Sequence, residues 1–156
     1  LFTKKELKHL VVQSLQYCQE NKGLVIHGWC LMPSHLHMIV STKGEELPAI
    51  MRDFKKHTSK AFIEELGLIN ESRKEWLLNA FRKYGEQLKR VKNYKVWQDG
   101  NQPKEIETNE FLDQKLAYIH NNPVESEIVD EPENYLFSSA RDYCGAKGLL
   151  EIVMLE

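Results

Sequence analysis

Two apolar runs meet at a proline turn near the start of the chain, and this constrains the fold more than any other feature. Residues 24–31, LVIHGWCL, are rich in apolar and aromatic side chains. Met32, Pro33 and Ser34 interrupt them, and residues 35–41, HLHMIVS, resume the pattern. Two such runs joined by a short turn predict a β-hairpin. His35 and His37 stand just past the bend, flanked by sequence that otherwise reads as core, where an imidazole is costly to bury. Residues at i and i+2 of a strand share a face, so the two rings are expected side by side, with Leu36 pointing the other way.

Helical periodicity surrounds the hairpin. Thr3 and Glu6 form a capping box ahead of Leu7, Leu10, Val11, Leu15 and Cys18, which predicts a helix over 4–20 closed by Asn21-Lys22-Gly23. A second helix is expected over 47–66, with Ile50, Phe54, Thr58 and Phe62 on one face and Arg52, Lys55, Lys56 and Lys60 around the rest. A third is expected over 71–87, and a short strand over 94–98. Thr108 or Asn109 caps a helix over 108–121, which Pro123 follows. The segment ENYLFSSARDYC reads as a helical turn or two, and GLLEIVMLE as a last strand. No repeat or linker divides the chain. The expectation is one α+β domain over 1–156: an antiparallel sheet with helices packed on it.

The totals exclude several classes. A chain of 156 residues suits a single core. No apolar run approaches the ~18 residues of a membrane span, and LFTKKELKHL lacks the features of a signal peptide. With leucine at position 1, the chain is expected to begin inside a longer parent. Cys18, Cys30 and Cys144 form no C-x-x-C pair, which suggests reduced thiols in a cytoplasmic protein. The net charge of -2 conceals an uneven distribution. Residues 51–95 carry 12 Lys/Arg against 6 Asp/Glu, and residues 96–156 carry 4 against 13. The basic middle suits an anionic partner, and equally a pair of solvated helices.

Two stretches carry candidate chemistry. His35 and His37 could share one metal ion, or be a surface histidine beside a satisfied core one. Cys30 and His27 are candidate third ligands. His9, His57 and His120 fall on expected helices, where polar surface roles are the default. In KLAYIHNNPV, Tyr118 and Asn122 lie at i and i+4, on one helix face, with Gln114 a turn earlier and Lys115 close by. A phenol is a nucleophile and an amide oxygen is a hard metal ligand. The same residues would also serve as a packing tyrosine and a helix C-cap before Pro123.

Together, GWCLMPSHLHMIV and YIHNNPV resemble the paired signatures of the single-tyrosine HUH endonucleases, in the branch of REP-associated tyrosine transposases. RDFKKHTSK at 52–60, VWQDGNQP at 96–103 and NYLFSSARDYC at 134–144 match in the same order. The resemblance implies a ferredoxin-like antiparallel sheet with helices packed on it and the histidines on a central strand. It implies nicking and rejoining of single-stranded or hairpin DNA in the bacterial cytoplasm, through a 5′-phosphotyrosine and with Mg²⁺ or Mn²⁺. Tyr118 matches the catalytic tyrosine, and His35, His37 and Asn122 match the metal ligands. On that frame Arg52, Lys55, Lys56, Lys60, Arg82, Lys83 and Lys115 become DNA-binding candidates. A homodimer is compatible, since some relatives exchange tyrosine helices and others act alone. A domesticated hairpin-binding protein that does not cut is the alternative. The chain departs from the pattern at Ser34, where the family has Asn, and at Glu125-Ser126-Glu127, where it has a small residue and glycine. The family also carries a strand ahead of the first helix, and this chain is expected to lack it.

Overall fold

The computed structural model describes residues 5–66, 79 and 108–155. Helix α1, Lys5–Lys22, buries Leu7, Val11, Ser14, Leu15 and Cys18, the stripe that its periodicity predicts. Gly23 then turns the chain at φ +78, and a Cβ there would fall 2.5 Å from the backbone nitrogen of Gly44. Only glycine meets both demands. Strands β1, Leu24–Leu31, and β2, Leu36–Thr42, pair antiparallel. Helix α2, Leu47–Leu66, follows and packs against α1. Lys22 ties the end of α1 to this region through Glu45 at 3.0 Å and Asp53 at 3.2 Å.

The hairpin register decides which side chains share a face. Ile26 pairs with Val40 but Gly28 with Ile39, so His27 is the extra residue of a β-bulge. Beyond it, Gly28 and Ile39, then Cys30 and His37, face one side. Trp29 with Met38, and Leu31 with Leu36, face the other. The histidine side is covered by helix α3, Asn109–Glu125, whose Leu116 methyl lies 2.6 Å from where a Gly28 Cβ would stand. The opposite side is left to α1 and α2. Both faces of β1 are therefore dry: Trp29, Cys30 and Leu31 are fully buried.

A 3₁₀ turn, Pro132–Asn134, and a short helix α4, Ala140–Tyr143, close the described fold. Between them the chain runs along the outer edge of β1, where the Leu31 N–H donates to Phe137 O at 2.8 Å and the Ser139 N–H to Trp29 O at 3.0 Å. The tail is not the strand its sequence suggests. One backbone bond, from Val153 N–H to Ile26 O at 3.0 Å, joins it to β1, and the Gln16 and Gln19 side chains hold its carbonyls. Residues 137–139 take the β1 edge beside Trp29 and Leu31, and the tail meets that edge only at Ile26. The expected strand at 94–98 lies outside the described residues, as does the helix at 71–87 apart from Asn79. Among the described residues no helix is long and apolar enough to cross a membrane.

Helix α3 also corrects its expected end. Thr108 caps its start, accepting from the Phe111 N–H at 3.1 Å. The helix then runs through Pro123 to Glu125 and is capped at Ser126. Pro123 cannot donate to the carbonyl of Ile119 four residues back, and it is buried there as an apolar residue. The turn out of the helix requires a positive φ, and Glu127 supplies it at 59°. A side chain in that conformation costs about 1–2 kcal/mol, and a carboxylate at a helix C-terminus opposes the dipole. Glu127→Gly is expected to stabilise the fold by about 0.5–1 kcal/mol, after the greater chain entropy of glycine is subtracted. Urea denaturation measures this, and a lower midpoint in the variant would contradict the account.

Candidate active site

The turn Met32-Pro33-Ser34 is closed by the Met32 N–H donating to His35 O at 2.8 Å. His35 thus belongs to the turn, and β2 begins one residue later than the sequence suggests. The two imidazoles still meet, with ring centres 4.5 Å apart and planes at 85°. Ser34 Oγ lies 2.7 Å from His35 Nδ1, so the serine holds the ring that the turn presents and leaves Nε2 outward. His37 is half-buried beneath α3, and its Nε2 is buried with no hydrogen-bond partner. Burial, then the nearby His35 and Lys115 charges, pushes its pKa down to about 4. His37 is therefore a neutral imidazole at pH 7, which is the form that binds metals.

Tyr118 comes to this pair from α3. Its ring centre lies 5.8 Å from that of His37, with the planes at 81°. The residue is 51% exposed, so the phenol is open to a substrate rather than packed away. Lys115 Nζ stands 5.0 Å from the Tyr118 ring centre. Asn122 sits one helical turn beyond Tyr118 on the same side. Capping falls to Ser126, so Asn122 is an interior helix residue and its amide is not spent on a C-cap. Among the described residues no three His, Cys, Asp or Glu side chains group so as to hold a metal. A metal at the histidine pair would need a donor of another type, and the amide oxygen of Asn122 is of that type. The buried Nε2 of His37, neutral and without a hydrogen-bond partner, is a nitrogen donor that suits such an ion.

The other candidate ligands fit poorly. Cys30 faces the same side as His37, but burial pushes its thiol up to about 12 and its side chain bonds to Ser138. It is no thiolate. Both ring nitrogens of His27 are engaged, with Val153 O at 2.9 Å and Ser41 Oγ at 2.8 Å. His120 is not the surface residue its helix suggested. It continues the apolar stripe of Leu112 and Leu116, lies 2.7 Å from the buried Ser139 Oγ, and burial drives its pKa down to about 4. A polar residue inside an apolar stripe requires a partner, and that was the signal available in the sequence.

Of the basic candidates among the described residues, Lys115 is the one placed against Tyr118. Arg52, Lys56 and Lys60 lie exposed on α2, across the sheet from α3, and Arg52 Nε is 3.4 Å from Asp53. Lys55 is half-buried on the same helix. Arg82 and Lys83 lie outside the described residues.

Comparison with known proteins places the chain in a class. The family model described as "Transposase IS200 like" matches residues 1–78, half of the chain. The chain belongs to this family of IS200-like transposases. Among solved structures it resembles a REP-associated tyrosine transposase bound to a REP hairpin, at 17% identity and a TM-score of 0.56. That match covers 97% of this chain and 75% of the other, and it shows a shared fold. No curated protein matches the chain.

The thiols give a test of the packing around the site. Cys18 and Cys30 are buried and their pKa values are raised by that burial, whereas Cys144 is exposed. Iodoacetamide at pH 8 is expected to label Cys144 in the native protein, and Cys18 and Cys30 only after unfolding. Mass spectrometry of peptides reads this, and native labelling of Cys30 would contradict the dry interface beneath α3.

Proposed function

We propose that this protein is a metal-dependent nickase and strand transferase for single-stranded DNA, acting through a 5′-phosphotyrosine on Tyr118. The observation that carries this is the contact of the Tyr118 ring with His37, a neutral imidazole whose Nε2 is buried and unpartnered. Membership in a transposase family supplies the substrate class. The solved relative is bound to a REP hairpin, which favours hairpin-bearing DNA here. On this reading the sheet is ferredoxin-like and β2 is a central strand of it.

His35, His37 and Asn122 would hold the ion, Mg²⁺ or Mn²⁺. When bound, it offsets the charge that builds on the phosphate oxygens and polarises phosphorus. Tyr118 then attacks in line. The phenol oxygen bonds to phosphorus, the bond from phosphorus to the 3′ oxygen breaks, and that oxygen leaves as a 3′-hydroxyl after taking a proton from water. The phenol proton leaves to the solvent that reaches the half-exposed residue. Lys115 Nζ, 5.0 Å from the ring centre, stands beside the attacking residue and would offset negative charge that builds during attack. The phosphotyrosine keeps the energy of the phosphodiester, so an incoming 3′-hydroxyl can rejoin the strand and release Tyr118.

Arg52, Lys55, Lys56 and Lys60, with Arg82 and Lys83, would follow the backbone of flanking DNA, a contact that weakens steeply with salt.

The test is incubation of the protein with Mn²⁺ and an end-labelled single-stranded hairpin from DNA flanking its gene, resolved on denaturing gels. A protein–DNA adduct is expected. It should vanish in Tyr118→Phe and fall more than about 100-fold in His37→Ala. Cleavage without an adduct, undiminished in Tyr118→Phe, would point to hydrolysis by water and overturn the reading. Binding with no cleavage would make the protein a hairpin-binding module.

A further inference from the structure

We infer that His120 is a positioning residue for strand cleavage: bonded to Ser139, it locks the tyrosine helix to the edge of β1 at the setting that puts Tyr118 against His37. The inference rests on Tyr118 being the nucleophile.

Apolar contacts leave the setting of α3 undetermined. Leu112, Leu116 and Ile119 seat α3 on the sheet. Such contacts fix how closely the helix approaches, but they are non-directional and resist a slide or a small rotation only weakly. One residue of slip along a helix is a 1.5 Å rise. A misplacement of ~1 Å at a reacting group can cost about 100-fold in rate. A directional contact is needed, and His120 makes one two residues after Tyr118 and two before Asn122. Its Nε2 lies 2.7 Å from Ser139 Oγ.

Ser139 is fully buried and is itself immobilised. Its Oγ accepts from the Trp29 N–H at 2.9 Å, and its own N–H donates to Trp29 O at 3.0 Å. Both backbone groups of Trp29 are thereby held, between Gly28, where Leu116 packs, and Cys30, the cross-strand partner of His37. The Tyr143 ring, 5.2 Å from that of His120, fills the space beside the bond, and its hydroxyl donates to His27 O at 2.7 Å. The imidazole thus connects the helix bearing Tyr118 to the strand bearing His37 in three steps: His120 to Ser139, Ser139 to Trp29, and β1 to β2.

The test compares His120→Gln with His120→Asn. A glutamine amide reaches the position of Nε2 and keeps the bond to Ser139, whereas asparagine falls short. Two readouts are taken on folded variants: the Tyr118–His37 ring cross-peaks in NOE spectra, and the single-turnover rate of adduct formation at saturating hairpin DNA with Mn²⁺. His120→Asn is expected to lose the cross-peaks and cut about 10–100-fold more slowly, with unchanged affinity for DNA. His120→Gln is expected to retain both within about threefold. A purely structural residue would lower the melting temperature in both variants without this split. Equal rates and cross-peaks in the two variants, or loss in both, would overturn the proposal. If His120→Asn does not fold, Ser139→Ala breaks the same bond from the other side, and failure of both to fold assigns the bond to stability alone and overturns it. The NOE readout needs no cleavage, so a wild type that forms no adduct but loses its cross-peaks in His120→Asn would fail the nickase reading and leave the helix lock standing.

Discussion

Gly28 lacks a side chain where Leu116 comes closest to β1, and the position of the candidate site depends on that approach. A Cβ at this position would meet the leucine methyl at 2.6 Å, so any other residue would push α3 outward or force Leu116 to another rotamer. With glycine, the helix settles onto the face of the sheet that carries Cys30 and His37. Tyr118, half a turn beyond Leu116, then reaches the edge of the His37 ring. The bulge at His27 belongs to the same arrangement. It shifts the strand parity by one residue, so that Gly28 and His37 face the same side.

Burial sets the protonation state of this site. His37 lies beneath the helix, and desolvation holds its imidazole neutral, with two neighbouring charges acting in the same direction. One of them, Lys115, also stands over the Tyr118 ring. The Lys115 charge disfavours a proton on His37. An imidazole that is to bind a metal has to be unprotonated. His35, by contrast, is exposed at the turn and is oriented by Ser34. The pair combines one ring fixed by packing with one presented by a turn.

The parts of the fold governed by local periodicity were legible in the sequence. Residues 24–31 and 47–66 form the strand and the helix their patterns indicated, because their apolar spacing matches one buried face throughout. Competition between elements was not legible. The tail reads as a strand, yet it meets β1 only at Ile26, and 137–139 takes the edge beside Trp29 and Leu31. Pro123 reads as a stop, yet it is buried inside α3, and the real exit is the positive φ of Glu127. In the site, the shared position of the two histidines followed from their spacing, and Tyr118 with Asn122 from theirs. That the two groups meet on one face depends on the bulge, which no periodicity revealed. His120 was misread for a related reason: its helix position alone says nothing of Ser139, 19 residues away.

The central claim is that one helix and one hairpin of a single chain form a metal-and-phosphate site. Anomalous diffraction from crystals soaked in Mn²⁺ tests it most directly, because the ion reports its own position. The account predicts a peak within coordinating distance of His35, His37 and the Asn122 amide oxygen, with the Tyr118 hydroxyl of the same chain facing it. A peak elsewhere, or one at the histidines with Asn122 and Tyr118 turned away from it, would contradict the account.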